Sequence, residues 1–135
     1  MTAKHRPETT VLIVDDEPFF HKVLSELFGQ GQCRVVTAST GEEGVRQAGR
    51  LRPDVIILDF HMPGLDGIAT CKILKADQAT RAIPVIILTA EESVELNQMA
   101  FEAGAQATVL KSMSHDRLMN IVDVFIQTGT SSGPS

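Results

Sequence analysis

Long apolar runs are missing from this chain of 135 residues. The longest falls far short of the roughly 18 consecutive apolar residues that a transmembrane helix needs, so the sequence predicts no membrane span. The N-terminal segment MTAKHRPETT is polar and has no apolar centre, which is not the pattern of a secretory signal. We therefore expect a cytoplasmic protein that has no membrane partner.

Cysteine and positive charge are also scarce. Cys33 and Cys71 are far apart and match neither a zinc-ligand spacing nor CxxC, so we interpret them as reduced thiols. The formal net charge is -5, whereas nucleic-acid-binding domains usually carry a basic stripe. Direct binding to nucleic acid is therefore not expected. Hydrophobic residues make up 43% of the chain, which is enough for one core in one domain.

Five short apolar segments alternate with five segments of helical periodicity. The apolar segments are continuous rather than alternating, which is typical of parallel strands that are covered on both faces. They are TVLIV (10–14), RVVTA (34–38), VIIL (55–58), VIIL (85–88) and ATVL (107–110). The helical segments are 17–30, 41–51, 66–77, 92–104 and 114–127. This order predicts a (βα)5 fold of the doubly wound α/β class, with a five-stranded parallel sheet.

The two ends of the chain are polar and differ from the region between them. Residues 1–9 are predicted to be a flexible N-terminal tail, and the small polar residues of 128–135 a flexible tail or the start of a linker. The folded domain is therefore predicted to span 10–127.

The fourth predicted helix carries a candidate contact surface. At about 100° per residue, four of its residues share one arc, which we assign to the core. They are Leu96, Met99, Ala100 and Ala103. Val94 and Phe101 point nearly the opposite way, and a bulky apolar pair on an outer face favours a partner surface or a homodimer. The alternative is that Phe101 folds back onto the neighbouring strand.

Polar residues stand directly after four of the five predicted strands. Asp15 and Asp16 follow the first strand, Asp59 the third, Thr89 the fourth and Lys111 the fifth. Parallel strands bring their carboxyl ends to one edge of the sheet, where ligands bind in folds of this class. Each residue alone could be a helix cap, a turn residue or a solvated lysine. Their coincidence at four strand ends predicts a functional site.

The charges of this predicted site do not balance, because three aspartates and one lysine sum to -2. Clustered carboxylates repel each other, and a divalent cation would remove the deficit. Ligands that are all oxygen favour Mg²⁺ or Mn²⁺ over zinc. A carboxylate beside such a cation, with a hydroxyl and a lysine, is equipped to accept a phosphoryl group. The residues therefore predict phosphoryl transfer to an aspartate.

Four motifs now resemble those of response-regulator receiver domains in bacterial two-component signalling. They are VDD, LDFHMPGLDG, LTA and LK, in this order after the first, third, fourth and fifth strands. The resemblance covers about residues 10–127 and implies the sheet order 2-1-3-4-5. It also implies that Asp59 is the phosphorylated residue, and that Thr89 and Lys111 bind the phosphoryl oxygens.

The resemblance further implies a magnesium site and a set of partners. The metal ligands would be Asp15, Asp16, Asp59 and the backbone carbonyl of His61. A sensor histidine kinase or phosphotransfer protein would donate the phosphoryl group, and a target protein or output domain would respond. The chain would then be a signalling phosphoacceptor rather than an enzyme.

Two side chains near the acceptor are candidates for tuning the lifetime of the phosphorylated state. His61 follows Asp59 by two positions, and Glu91 follows Thr89 by two positions. A side chain at such a position can lean over a phosphoryl group. The alternative for His61 is an ordinary exposed residue of a loop.

The sequence departs from the family pattern at two positions. Thr108 stands where the family often has Tyr or Phe as a switch residue, and Ser112 stands where it usually has Pro. We expect a trans peptide bond between Lys111 and Ser112, because a cis bond before a residue other than proline costs roughly 2.5–4 kcal/mol. Ser114 is then predicted to cap the fifth helix.

Two other functions remain open at this point. The departures at Thr108 and Ser112 allow a pseudo-receiver, which is an interaction module that phosphorylation does not control. A magnesium-dependent hydrolase with an aspartyl-phosphate intermediate would resemble the haloacid dehalogenases, which have DxD after the first strand. Here Asp15 and Asp16 are contiguous, so this alternative is the weaker one.

Overall fold

The computed structural model of the protein describes residues 9–30 and 33–131. Strands and helices alternate in the order β1 (Thr10–Val14), α1 (Pro18–Gln30), β2 (Arg34–Ala38), α2 (Gly41–Leu51), β3 (Val55–Asp59), α3 (Gly67–Ala76), β4 (Val85–Thr89), α4 (Val94–Ala103), β5 (Ala107–Leu110) and α5 (His115–Ser131). The predicted (βα)5 order is confirmed. β3 and β4 are each one residue longer than predicted, since they include the polar residues Asp59 and Thr89.

The described structure continues a little beyond both ends of the predicted domain, 10–127. Thr9 is buried, and its carbonyl accepts a hydrogen bond of 2.7 Å from the backbone N–H of Arg34. The rest of the predicted N-terminal tail lies outside the described residues. α5 continues past its predicted end at 127, so residues 128–131 of the predicted flexible segment are helical. Residues 132–135 also lie outside the described part of the chain.

All five strands are parallel, in the order β2-β1-β3-β4-β5. This is the predicted order. Alternate residues of one strand enter two separate cores, because successive side chains point to opposite faces of the sheet. Leu12 and Ile56 pack in the core beneath α2, α3 and α4, whereas Ile13 and Ile57 pack beneath α1 and α5. Burial on both faces explains why these strands are continuous apolar runs.

Side-chain caps begin four of the helices close to the edge where the strands end. Each cap oxygen accepts a hydrogen bond from a backbone N–H in the first turn of its helix. The capping residues are Thr40, Asp66, Ser93 and Ser114. The cap at Ser114 was predicted. The described residues contain no cis peptide bond, so the predicted trans bond between Lys111 and Ser112 is confirmed.

The two faces of α4 divide largely as predicted. Leu96, Ala100 and Ala103 are buried, while Val94 is 83% exposed and Phe101 is 79% exposed. Phe101 therefore does not fold back onto the sheet. The assignment of Met99 to the core was wrong, because its side chain is 43% exposed. Met99 lies at the edge of the buried arc and lines a groove with residues of the loop after β4.

Within the described part of the chain, every helix is too short or too polar to cross a lipid bilayer.

Gly67 lets α3 approach the strand end that carries Asp59. The N–H of Gly67 donates to the carbonyl of Phe60 over 3.0 Å. A Cβ atom at Gly67 would lie 2.6 Å from the carbonyl oxygen of Asp59 and 2.9 Å from Cα of Phe60. These atoms belong to the backbone and cannot move aside without displacing the strand end.

Gly67→Ala should therefore lower the free energy of unfolding by about 1–3 kcal/mol through overpacking. Gly49→Ala is the matched control, because Gly49 is exposed within α2 and its added Cβ would meet nothing within 4 Å. It should raise the free energy of unfolding by about 0.5–1 kcal/mol. Denaturant unfolding measures both changes, and a Gly67→Ala variant as stable as the parent would contradict the tight packing.

Candidate functional site

The ends of four strands bring the predicted site residues together. Asp59 is the last residue of β3 and Thr89 the last of β4, while Asp15 and Lys111 directly follow β1 and β5. The parallel register aligns these ends, since Val14 pairs with Leu58 and Thr89 with Leu110. The Asp15, Asp59 and Thr89 side chains are all buried. Polar groups thus end three apolar strands at one edge of the sheet.

Lys111 connects the carboxylates of this site. Its Nζ atom lies 3.0 Å from Oδ1 of Asp59, 3.4 Å from Oδ2 of Asp15 and 2.9 Å from Oε1 of Glu17. The ammonium also lies 4.8 Å from the centroid of the Phe20 ring, within the range of a cation–π contact. The single positive charge of Lys111 therefore interacts with three carboxylates.

Sequence reasoning did not include Glu17 or Phe20 in the site. A signal for Glu17 was present, because it extends the acidic run that begins directly after β1. No comparable signal marked Phe20, whose spacing in α1 indicates only a buried helical face. Its contact with Lys111 depends on how the start of α1 is placed at the carboxyl edge of the sheet, which the sequence pattern does not specify.

Asp15 has one satisfied oxygen and one unsatisfied oxygen. Oδ1 accepts a hydrogen bond of 2.8 Å from the backbone N–H of Glu17. Oδ2 is buried and makes no hydrogen bond within the described residues, although Lys111 lies 3.4 Å away. A buried carboxylate oxygen without a partner is costly, unless a proton or a cation approaches it.

The buried carboxylates have shifted acidities. Burial, followed by the charge of Asp15, raises the pKa of Asp59 to about 6, against the opposing effects of Lys111 and the backbone N–H of His61. Burial likewise raises the pKa of Asp15, against the Glu17 N–H and Lys111. Burial lowers the pKa of Lys111, but its hydrogen bonds to Glu17 and Asp59 outweigh this and leave it above its ordinary value. The site is short of positive charge.

The donor atoms fit a hard divalent cation. Carboxylate oxygens of Asp15, Glu17 and Asp59 all lie within 4.8 Å of one another. The ligands are all oxygen, which is what magnesium and manganese prefer. One buried oxygen, Oδ2 of Asp15, has no hydrogen-bond partner within the described residues and can therefore bind an ion. Asp16 is exposed and lines the same cleft, but it lies outside this group of three. The structure therefore groups Glu17, rather than Asp16, with the two buried aspartates.

The Thr89 hydroxyl is engaged by the loop that follows β4. It donates to the backbone carbonyl of Glu91 over 3.0 Å and accepts from the backbone N–H of Glu91 over 3.3 Å. This bonding fixes the first residues of the loop against the strand end. The predicted binding of phosphoryl oxygens by Thr89 stays a prediction.

His61 and the Glu91 side chain lie at the rim of the site. Both are exposed, and both line the groove beside Met99. The His61 ring contacts the Phe60 ring edge to face, with 4.5 Å between centroids. His61 also lines the cleft that contains Asp59. Their tuning roles, and the metal contact of the His61 carbonyl, stay predictions.

Thr108, the predicted switch position, links β5 to α4. Its hydroxyl donates to Oδ1 of Asn97 over 2.7 Å. Thr89, Asn97 and Thr108 border the same small cavity of about 150 Å³. The sequence did not predict Asn97 as a partner, because a contact between a helix and a neighbouring strand leaves no local pattern.

Comparison with known proteins decides the family. The family model for the response regulator receiver domain matches residues 11–123, which is most of the chain. This chain belongs to that family. The receiver-domain family consists of signalling phosphoacceptors whose members interact with histidine kinases and output domains.

Individual relatives agree with this membership. Protein PilH of Pseudomonas aeruginosa is 31% identical over 116 residues, covering 86% of this chain and 96% of PilH. The alkaline phosphatase synthesis transcriptional regulatory protein PhoP of Bacillus subtilis is 32% identical over 125 residues, covering 93% of this chain and 51% of PhoP. Three further relatives are longer still, and the chain spans 28–41% of their length.

A solved structure extends the likeness to the fold. The receiver domain of the sensor histidine kinase PA1611 from Pseudomonas aeruginosa is 28% identical, with a TM-score of 0.82. The likeness covers 89% of this chain and 98% of that one. A magnesium ion is coordinated in the active-site cleft of that relative.

Asp59→Asn should stabilise this receiver domain in the absence of metal. A raised pKa means that the ionised carboxyl is disfavoured in the folded state, so removing its charge should add about 1–3 kcal/mol to the free energy of unfolding at pH 7.5 in EDTA. The gain in stability should be complete above about pH 6, which is the pKa of Asp59 in the folded protein. It should vanish as the pH falls to about 4, which is the pKa of this carboxyl in the unfolded chain.

Chemical denaturation at several pH values measures this gain, with Asp16→Asn as the control. Asp16 is exposed, so its neutralisation should change stability by less than about 0.5 kcal/mol. Adding Mg²⁺ should shrink the advantage of Asp59→Asn, because the parent protein gains the binding energy of the ion. An Asp59→Asn variant less stable than the parent in EDTA would show that Lys111 already balances the site.

Proposed function

We propose that this receiver domain accepts a phosphoryl group on Asp59, in a reaction that requires Mg²⁺ or Mn²⁺. The donor is the phosphohistidine of a sensor histidine kinase or of a phosphotransfer protein. The product signals to a target protein or output domain through a changed surface, without turnover of an external substrate. The observation that carries the proposal is the buried Asp59 carboxylate, 3.0 Å from Lys111 and beside an Asp15 oxygen that has no hydrogen-bond partner among the described residues.

The residues of the site divide the work of transfer. A carboxylate oxygen of Asp59 attacks phosphorus, the bond from phosphorus to the donor nitrogen breaks, and the imidazole leaves with that electron pair. Lys111 neutralises charge on the phosphoryl oxygens. Asp15 and Asp59, with Asp16 from the cleft and the His61 carbonyl, would hold the metal ion, while the third carboxylate of the group, Glu17, is held by Lys111. That ion supplies charge stabilisation for the transferring oxygens when it is bound.

Three hydrogen bonds support a route from the site to α4. For Thr89 to bind the phosphoryl group, its hydroxyl must leave the backbone of Glu91, and the loop before α4 is then released. The bond from Thr108 to Asn97 holds α4 against β5. Movement of the released loop would therefore displace α4 and strain its hydrogen bond to Thr108. Thr108 thus couples the site to the helix through a hydrogen bond in place of an aromatic side chain.

The pseudo-receiver alternative gains no support. Asp15, Asp59, Thr89 and Lys111 all reach one edge of the sheet, and Asp16 lines the cleft. The substitutions at Thr108 and Ser112 change the neighbourhood of the switch and leave the carboxylates, the lysine and their contacts in place.

Asp59 should be the sole phosphoacceptor. With acetyl phosphate and Mg²⁺, the intact protein should gain the mass of one phosphoryl group, and Asp59→Asn should not. Asp54→Asn is the control, since Asp54 precedes the same strand at its opposite end and accepts a hydrogen bond from Thr10 there. EDTA should abolish the reaction, and Asp16→Ala should slow it. Retention of the added mass in Asp59→Asn, or an unchanged rate in EDTA, would refute the assignment.

Val94 and Phe101 form the proposed partner surface on α4. Phe101 is 79% exposed, so Phe101→Ala should change the free energy of unfolding by less than about 0.5 kcal/mol. Self-association of the phosphorylated protein, followed by sedimentation, should weaken at least about tenfold, as expected for an aromatic anchor. Ile73→Ala, on the exposed face of α3, is the control. A loss of stability above about 2 kcal/mol would instead make Phe101 part of the core.

A further inference from the structure

We infer that Glu17 is a positioning residue for phosphoryl transfer. Its carboxylate holds Lys111 in the unphosphorylated protein and competes with the incoming phosphoryl group for that lysine. Glu17 thereby sets how readily the site takes up a small anionic phosphodonor. The inference rests on the proposed function and deepens it, because it names the contact that must break before the donor binds.

Three carboxylates surround the ammonium of Lys111. They lie 2.9 Å, 3.0 Å and 3.4 Å from Nζ, and the nearest one, Glu17, accepts a hydrogen bond from it. An incoming phosphoryl group is anionic, so it must compete with these carboxylates for the same positive charge. Which carboxylate gives up its contact with Lys111 depends on how readily water can replace that contact.

Exposure singles out Glu17 as the group that leaves. The Glu17 side chain is 62% exposed, whereas Asp15 is 1% exposed and Asp59 is 4% exposed. Separating an exposed ion pair costs little, because water replaces the lost contact. Breaking a buried pair leaves an uncompensated charge away from water and costs far more. Glu17 is the only one of the three whose release is inexpensive.

The backbone of Glu17 is anchored, so only its side chain needs to move. Its N–H donates to Oδ1 of Asp15, and its carbonyl accepts from the N–H groups of Phe20 and His21 at the start of α1. Substitution of the side chain therefore leaves the support of Asp15 intact. The ring of Phe20, 4.8 Å from Nζ, keeps the lysine near the site after Glu17 has left.

The substitution Glu17→Gln isolates the competing charge. Glutamine has the same length and can still accept a hydrogen bond from Lys111, but a bond to a neutral acceptor is roughly half as strong as one to a carboxylate. The variant should therefore bind an anionic donor more readily. Once the donor has bound, Glu17 no longer contacts Lys111, so the transfer step itself should change little.

The rate of phosphorylation, followed by intact mass against acetyl phosphate concentration with saturating Mg²⁺, tests the inference. In Glu17→Gln the half-saturating donor concentration should fall about fivefold, as for loss of an exposed ion pair, while the rate at saturation stays within about twofold. Glu95→Gln removes the same charge from α4 near this edge and should leave the half-saturating concentration within about twofold.

Mg²⁺ affinity, measured by calorimetry without any phosphodonor, shows whether Glu17 competes for Lys111 or is itself a metal ligand. Glu17→Gln should change this affinity by less than about threefold. A loss of tenfold or more would make Glu17 a metal ligand and overturn the inference. An unchanged or raised half-saturating concentration in Glu17→Gln would also overturn it, as would an equal fall in Glu95→Gln. If the parent protein takes up no phosphoryl group, the proposed function fails, and the inference fails with it.

Discussion

The repulsion between two buried carboxylates is the constraint on which this structure depends. Asp15 and Asp59 end neighbouring parallel strands, and the sheet leaves them no room to separate. Lys111 approaches both, yet one oxygen of Asp15 has no hydrogen-bond partner within the described residues, and burial and the charge of Asp15 still raise the pKa of Asp59 to about 6. The fold thus holds together a group of carboxylates that is short of positive charge.

The surrounding structure holds this strained site in place and connects it to the surface. Gly67 allows α3 to pack directly against the strand end at Asp59, so the Asp59 carboxylate has a rigid support. On the other side, Thr89 bonds to the loop before α4, and Thr108 bonds to α4 itself. These bonds connect β4 and β5 with α4 and the loop before it, and α4 carries the exposed side chains of Val94 and Phe101.

The sequence was sufficient for the fold and for most of the site, because both depend on regular patterns. Continuous apolar runs indicate doubly covered strands, and polar residues at their ends must meet at one edge of a parallel sheet. Contacts between side chains of different elements were not predictable in this way. Glu17, in the loop after β1, reaches Lys111 after β5, and Asn97 of α4 reaches Thr108 of β5, only because the fold brings these segments together. The exposure of Met99 was missed for the same reason. Periodicity gives the direction of a side chain on its helix, but not how far the neighbouring elements extend to cover it.

The carbon-13 resonance of the Asp59 side-chain carboxyl, followed by NMR through a pH titration, tests the electrostatic claim most directly. In the metal-free protein this carboxyl should titrate at about pH 6. With saturating Mg²⁺ the titration should move below pH of about 4, because the cation competes with the proton for the same oxygens. A metal-free titration near pH 4, or a midpoint that Mg²⁺ does not move, would contradict a site that is short of positive charge.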